Sequence, residues 1–304
     1  MSKNITYQLT SSVDAAFCKT GGDKHSDKKQ GVSIEKVYSY AERKNLIDMS
    51  FQFGRYMIEN FPEIRKVKDI KIDHVNSFLQ SKTNVTQATM TLYKHLIHKL
   101  EILTNKKFHN NVDWHTGLII PKQEKQKIRT CMITQAQVDK LVNYLDTRKD
   151  SASKNAVLLS LSFALRVGSI AKLQARDVSF IDNNKCILHI HEDKGKRSRD
   201  ILVDKKEDIE LLRKIVGNKR GCERLIPIRS ASINTYLRRC FKNLGFTNLI
   251  ENKTSIHSIR KYSITKYVSE KEQEVGRKKA LELAMQRLGH GKERNDLKKI
   301  YILK

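Results

Sequence analysis

Residues 254–267 read TSIHSIRKYSITKY. Ile256, Ile259 and Ile264 fall at helical spacing and can bury one side of a helix, while His257 and Arg260, three apart, point together to another. Taken alone, an H-x-x-R pair on an amphipathic helix is ordinary. It acquires chemical meaning only if other parts of the chain supply matching groups.

Four other stretches do. Upstream, residues 163–178 read FALRVGSIAKLQARDV and place Arg166 directly after an apolar helix; by itself such an arginine could simply cap the helix C-terminus. Residues 185–204, KCILHIHEDKGKRSRDILVD, read as a β-hairpin: two β-rich runs around a charged turn that holds Lys194, Gly195, Lys196, Arg197 and Arg199. By itself this charge run could be a solvated turn. Downstream, RLGHG at 287–291 sets His290 just beyond a helix end at Gly289, and Tyr301 lies three residues before the last position.

Composition narrows the partner. Of 304 residues, 59 are Lys or Arg against 33 acidic ones, a formal net charge of +26. Such an excess opposes compaction and makes sense with a polyanion, nucleic acid before an anionic membrane surface. The apolar runs, such as AVLLSLSFAL at 156–165, fall far below the ~18 residues that span a bilayer, and the N-terminus has no apolar signal core. The five cysteines, Cys18, Cys131, Cys186, Cys222 and Cys240, are widely spaced without a C-x-x-C, which fits reduced thiols in a cytosolic setting. The ten histidines are scattered, and no metal site or cofactor is expected.

The pattern predicts a mainly α protein with a small antiparallel sheet, an α+β chain. Residues 1–32 are polar and end in GGDKHSDKKQG, which reads as a flexible basic tail. Residues 33–120 read as a helical domain: a stripe of Leu46, Met49, Phe53, Tyr56 and Met57, a short helix with Ile72, Val75 and Leu79, and a helix from Thr86 carrying Met90, Tyr93, Ile97 and Leu100, with Lys94 and Lys99 elsewhere on its circumference. Residues 121–133 follow Pro121 with Lys122, Lys125, Lys127 and Arg129 and no apolar period, a basic extended linker. Residues 134–304 form the second domain, with helices from Thr134, over 154–165, and near 230–244, 257–271 and 275–288.

In their order Arg, Lys, His-x-x-Arg, Gly-His, Tyr, these positions resemble the catalytic set of the tyrosine recombinase, or phage integrase, family, over most of the chain. The resemblance implies a helical, SAM-like core-binding domain at 33–120 and a catalytic domain at 134–304 that together form a C-shaped DNA clamp. It implies catalytic roles for Arg166, Lys194, His257, Arg260, His290 and the nucleophile Tyr301, with Lys196 as the fallback hairpin lysine. Lys94, Lys99, Lys122, Lys125, Lys127, Arg129, Lys196, Arg197 and Arg199 are the expected DNA-contacting cations. The expected partner is double-stranded DNA with short inverted-repeat sites, bound by a homotetramer that is a monomer when free. No membrane partner is expected, and the location is cytoplasmic, on DNA. The sequence specifies no directionality factor.

The chain departs from the family pattern in two places. Ser169 stands where an acidic residue usually supports the first arginine. His290 and Tyr301 are eleven residues apart where about nine is usual. Family members also commonly continue past the tyrosine, whereas only Ile302, Leu303 and Lys304 follow here, so either the sequence is a truncated piece or subunits communicate differently. Two rival readings use the same residues: a type IB topoisomerase, and a non-catalytic DNA-binding protein with a decayed recombinase fold.

Overall fold

The computed structural model describes residues 4–19, 22–123, 133–193 and 197–289, and it divides into two compact units, Met1–Ile128 and Arg129–Lys304. Among the described residues no helix is long and apolar enough to cross a membrane.

The first unit is helical: α1 Ile5–Ala15, α2 Lys24–Lys29, α3 Tyr40–Asn60, α4 Ile72–Gln80 and α5 Gln87–Phe108. Side-chain oxygens start the long helices. Ser39 accepts the Glu42 N–H at 3.1 Å while Glu42 reaches back to the Tyr38 N–H, and Thr86 accepts the Thr89 N–H at 3.0 Å. Phe53, Phe78 and Trp114 stack edge-on or tilted at the centre, and the Trp114 indole N–H donates to the Ile70 carbonyl at 3.1 Å.

The expected flexible tail is corrected here. Residues 5–15 form α1, whose Ile5, Leu9 and Val13 recur every fourth residue and are buried in the core. The helix lies so close to α3 that a Cβ on Gly54 would stand 2.3 Å from the Thr6 hydroxyl and 2.9 Å from its Cα. A glycine at the crossing therefore permits the approach, and α1 belongs to the first unit instead of lying outside a domain that starts at residue 33.

The second unit holds α6 Gln135–Asp146, α7 Ala152–Phe163, α8 Val167–Ile170, a three-stranded sheet, and then α9 Lys206–Val216, α10 Ser230–Asn243, α11 Thr247–Glu251, α12 Ile256–Val275 and α13 Arg277–Arg287. The sheet is antiparallel in the order β1 Val178–Phe180, β2 Cys186–Asp193, β3 Arg197–Val203. Its register pairs Cys186 with Val203 and Leu188 with Ile201, and these four bury one face against the helices. The reading from sequence lacked β1 and α9. The capping box at Thr134 and Gln137, by contrast, starts α6 where expected.

Candidate active site

The site is built where α7 and α13 end and α8 and α12 begin. Helix α7 stops at Ala164, which takes the left-handed conformation (φ 51°), and the chain turns at once so that Arg166 stands at the position just before α8, without a side-chain capping hydrogen bond to it. Ala164 and Leu165 are fully buried, which holds the backbone ahead of Arg166 in the core while the arginine itself is half-buried. Helix α12 starts nearby, with its N-cap Ser255 accepting the His257 N–H at 3.3 Å, and Asn234 of α10 accepts the Ile256 N–H at 3.1 Å.

One turn into α12, Arg260 is completely buried. One terminal nitrogen donates to the Ala164 carbonyl at 2.6 Å, the other to the Leu288 carbonyl at 2.9 Å. Helix C-termini leave carbonyls without intrahelical donors. Here the guanidinium takes one from the end of α7 and one from the end of α13, so a single side chain ties three helices together.

His257 sits in the field of this cluster. Desolvation by the surrounding protein, then the charges of Lys261, Arg260 and Arg166, push its imidazole down to about 4, so it is neutral at pH 7 although the residue as a whole is exposed. Lys261, which the sequence reading did not single out, is buried, and burial holds its ammonium below the usual lysine range. Its only sequence signal was its place directly after the H-x-x-R motif. Ser169, three residues past Arg166, is buried on α8.

Arg166, His257 and Arg260 are therefore brought together. Lys194, His290 and Tyr301 lie outside the described residues, as do Lys125, Lys127, Arg129, Lys196 and the side chain of Arg197. Of the remaining expected DNA contacts, Lys122 is exposed and Lys94 half-buried. Two do not fit that role. Lys99 turns inward, donating to the carbonyls of Lys36 at 2.7 Å and Ser33 at 3.3 Å, and burial pushes its ammonium down. Its amine adds a donor to the carbonyls around the end of the 3₁₀ turn Ser33–Glu35, where the Ser33 oxygen also accepts the Lys36 N–H at 3.4 Å. Arg199 stands on the buried face of β3 and donates to the Arg287 carbonyl at 2.8 Å.

A helical unit followed by an α+β unit, with arginines converging on helix ends beside an H-x-x-R motif, is the architecture of the tyrosine-class DNA recombinases. Solved structures similar in fold include three recombinases bound to DNA. The XerH site-specific recombinase bound to a palindromic difH substrate is 15% identical over 98% of this chain and 90% of its own, with a TM-score of 0.64. The Tn1549 transposon integrase in complex with circular intermediate DNA is 12% identical over 100% of this chain and 96% of its own, TM-score 0.59. The lambda integrase tetramer bound to a Holliday junction is 15% identical over 92% and 78%, TM-score 0.59. No curated protein sequence matches the chain significantly. Residues 131–290 match the phage integrase family, and the chain belongs to that family, whose members are site-specific DNA recombinases.

Proposed function

We propose that the protein cuts and rejoins duplex DNA of a mobile element through a 3′-phosphotyrosyl intermediate. Four copies act on two short inverted-repeat sites and exchange one strand pair at a time through a Holliday junction. The observation that carries the reading is the convergence of Arg166, His257 and Arg260 at the start of α12, with His257 neutral at pH 7.

A phosphodiester is anionic, and attack on it builds further charge on the non-bridging oxygens, so permanent cations are needed where that charge grows. Arg166, half-buried at the start of α8, is suited to this, because a guanidinium keeps its charge at any working pH and forks onto two oxygens. Arg260, fully buried with its terminal nitrogens on the Ala164 and Leu288 carbonyls, adds its positive field to the site. His290 supplies a further donor. The Tyr301 oxygen attacks phosphorus. A phenol of pKa about 10 is ionised in roughly one molecule in a thousand at pH 7, so its proton must leave as the bond forms. Neutral His257 can accept it. The phosphorus–O5′ bond breaks, and Lys194 returns a proton to the departing 5′ oxygen. The phosphotyrosyl bond conserves the energy of the phosphodiester, and attack by a 5′ hydroxyl reverses the step.

The test is a nicked suicide duplex carrying the native site. Wild type should accumulate a protease-sensitive covalent adduct, and Tyr301→Phe should bind the duplex with little change and form none. An adduct formed by the Phe variant would remove Tyr301 from its role. A junction intermediate assembled from two sites would distinguish recombination from simple relaxation.

A further inference from the structure

The sequence from Lys194 to Arg199 is rich in cations, and charge alone assigns all of them to DNA. The sheet register separates one from the rest. Side chains alternate along a strand, and Ile201 and Val203 of β3 are buried. Arg199 shares their parity and pairs with the buried Ile190 on β2. It therefore points with the core side chains, while Asp200 and Leu202 face solvent.

What Arg199 meets on that face is the end of α13. Its Nε donates to the Arg287 carbonyl at 2.8 Å. The next carbonyl along, Leu288, is taken by Arg260 at 2.9 Å. Two consecutive carbonyls at one helix end are thus held by arginines from two other elements, β3 and α12. The residue after them, Gly289, has φ +72°, and a Cβ there would lie 2.6 Å from the Arg199 Nη1 and 3.2 Å from its Cζ. Only glycine combines that backbone conformation with a guanidinium packed so close. Gly289 immediately precedes His290 in sequence, and Lys194 lies in sequence between β2 and β3.

We infer that Arg199 is a positioning residue for strand cleavage: it fixes β3, which follows Lys194 in sequence, against the end of α13, which precedes His290. The inference rests on the proposed function, because it assigns a role within that reaction. A guanidinium suits the task. It can donate in the plane of the carbonyl, keeps its charge among neighbouring cations, and presents a flat face to Gly289. If Arg199 acts this way, its loss displaces the proton donor from the leaving oxygen, and a displacement of about 1 Å is enough for roughly a 100-fold loss of rate.

The experiment compares wild type, Arg199→Ala, Arg199→Lys, Gly289→Ala and the Arg199→Ala/Gly289→Ala double variant, each as full chain. Each is tested on a nicked suicide duplex and on the same duplex with a bridging 5′ sulfur, which leaves without a proton. Duplex affinity and its salt dependence are measured in parallel. Arg199→Ala should bind DNA within about twofold of wild type with an unchanged salt slope, and should form adduct roughly 100-fold more slowly. The sulfur substrate should restore most of that loss, as it should for Lys194→Ala. Gly289→Ala should disturb the same contact from the other side, so the double variant should be no worse than the poorer single. Arg199→Lys, which keeps the charge and guards against a folding failure, should fall between.

A salt slope reduced by about one unit would make Arg199 a phosphate contact and overturn the inference. So would equal defects on both substrates, which indicate a structural role only, or additive losses in the double variant. Wild-type adduct formation with an unimpaired Arg199→Ala refutes this inference alone; no adduct from any protein, wild type included, refutes the recombination chemistry and this inference with it.

Discussion

Arg260→Ala should destabilise the second unit before it affects any chemistry. The side chain is fully buried, and its two terminal nitrogens hold the Ala164 and Leu288 carbonyls at 2.6 and 2.9 Å. A hydrogen bond to a charged group contributes about 1.5–3 kcal/mol. Losing both, and leaving two helix-end carbonyls buried without these donors, should cost about 3–5 kcal/mol. For a unit of residues 129–304, each kcal/mol moves Tm by about 2–4 °C, so the shift should be on the order of 10 °C. Arg260→Lys keeps the charge but cannot fork, and a single ammonium reaches one carbonyl well at best; it should lose about half as much. The assay is thermal unfolding of the full chain with hydrogen exchange read at residues 164–170 and 280–289. Protection should fall at both segments together, because one side chain joins them. Arg260→Ala melting within ~2 °C of wild type, with both segments protected, would refute the reasoning that this arginine holds the helix ends.

His257 gives a pH prediction. Its folded value, about 4, lies below the ordinary 6.5, so the unfolded chain takes up the proton first as pH falls. The stability tied to it is present above about 6.5 and is lost toward about 4; His257→Gln should flatten that part of a denaturant-midpoint profile, and an unchanged slope would contradict the shift. A chain beginning at residue 33 should lose helical content well beyond α1 itself, and Leu9→Ala should destabilise the first unit by about 2–5 kcal/mol, since Leu9 is fully buried; a normally folded, stable shortened chain would restore the flexible-tail reading. Lys99→Ala should lower stability with little change in the salt slope of DNA binding, whereas a backbone contact would reduce the slope by about 0.9.

The fold was legible wherever a local rule and a buried face agree. Thr134 with Gln137 announces α6, and the isoleucines around His257 announce α12, because capping and apolar period are both written within one turn or two. The failures share a cause. Helix α1 carries only Ile5, Leu9 and Val13 in a polar stretch, and its stability comes from α3, a partner distant in sequence. Strand β1 is three residues long and exists because β2 offers it an edge. In α9, Ile209, Leu212 and Ile215 are the buried positions, but six charged neighbours within Lys206–Val216 mask the period. Lys99 and Arg199 were assigned by charge, and charge does not say which face a residue occupies. For Arg199 the alternation with Ile201 and Val203 was available in RSRDILV and outweighs the charge run.

The arrangement also answers a physical difficulty that the composition raises. Arginines gathered to meet a phosphate repel one another, and in a chain of net charge +26 no surplus of carboxylates offsets them. At this site the compensation is supplied by backbone. The carbonyls of Ala164, Arg287 and Leu288 sit at the C-terminal ends of α7 and α13, where the helix dipole is negative, and they accept from Arg260 and Arg199. A carbonyl holds a guanidinium without cancelling its charge, so the positive potential needed for an anion persists, whereas a carboxylate in the same place would neutralise it. Such compensation exists only when α7, α12, α13 and β3 have all met. Unlike a cluster of surface lysines, this set of cations is assembled only in the folded unit, so the side chains that build the positive field at the site are also those that hold the unit together.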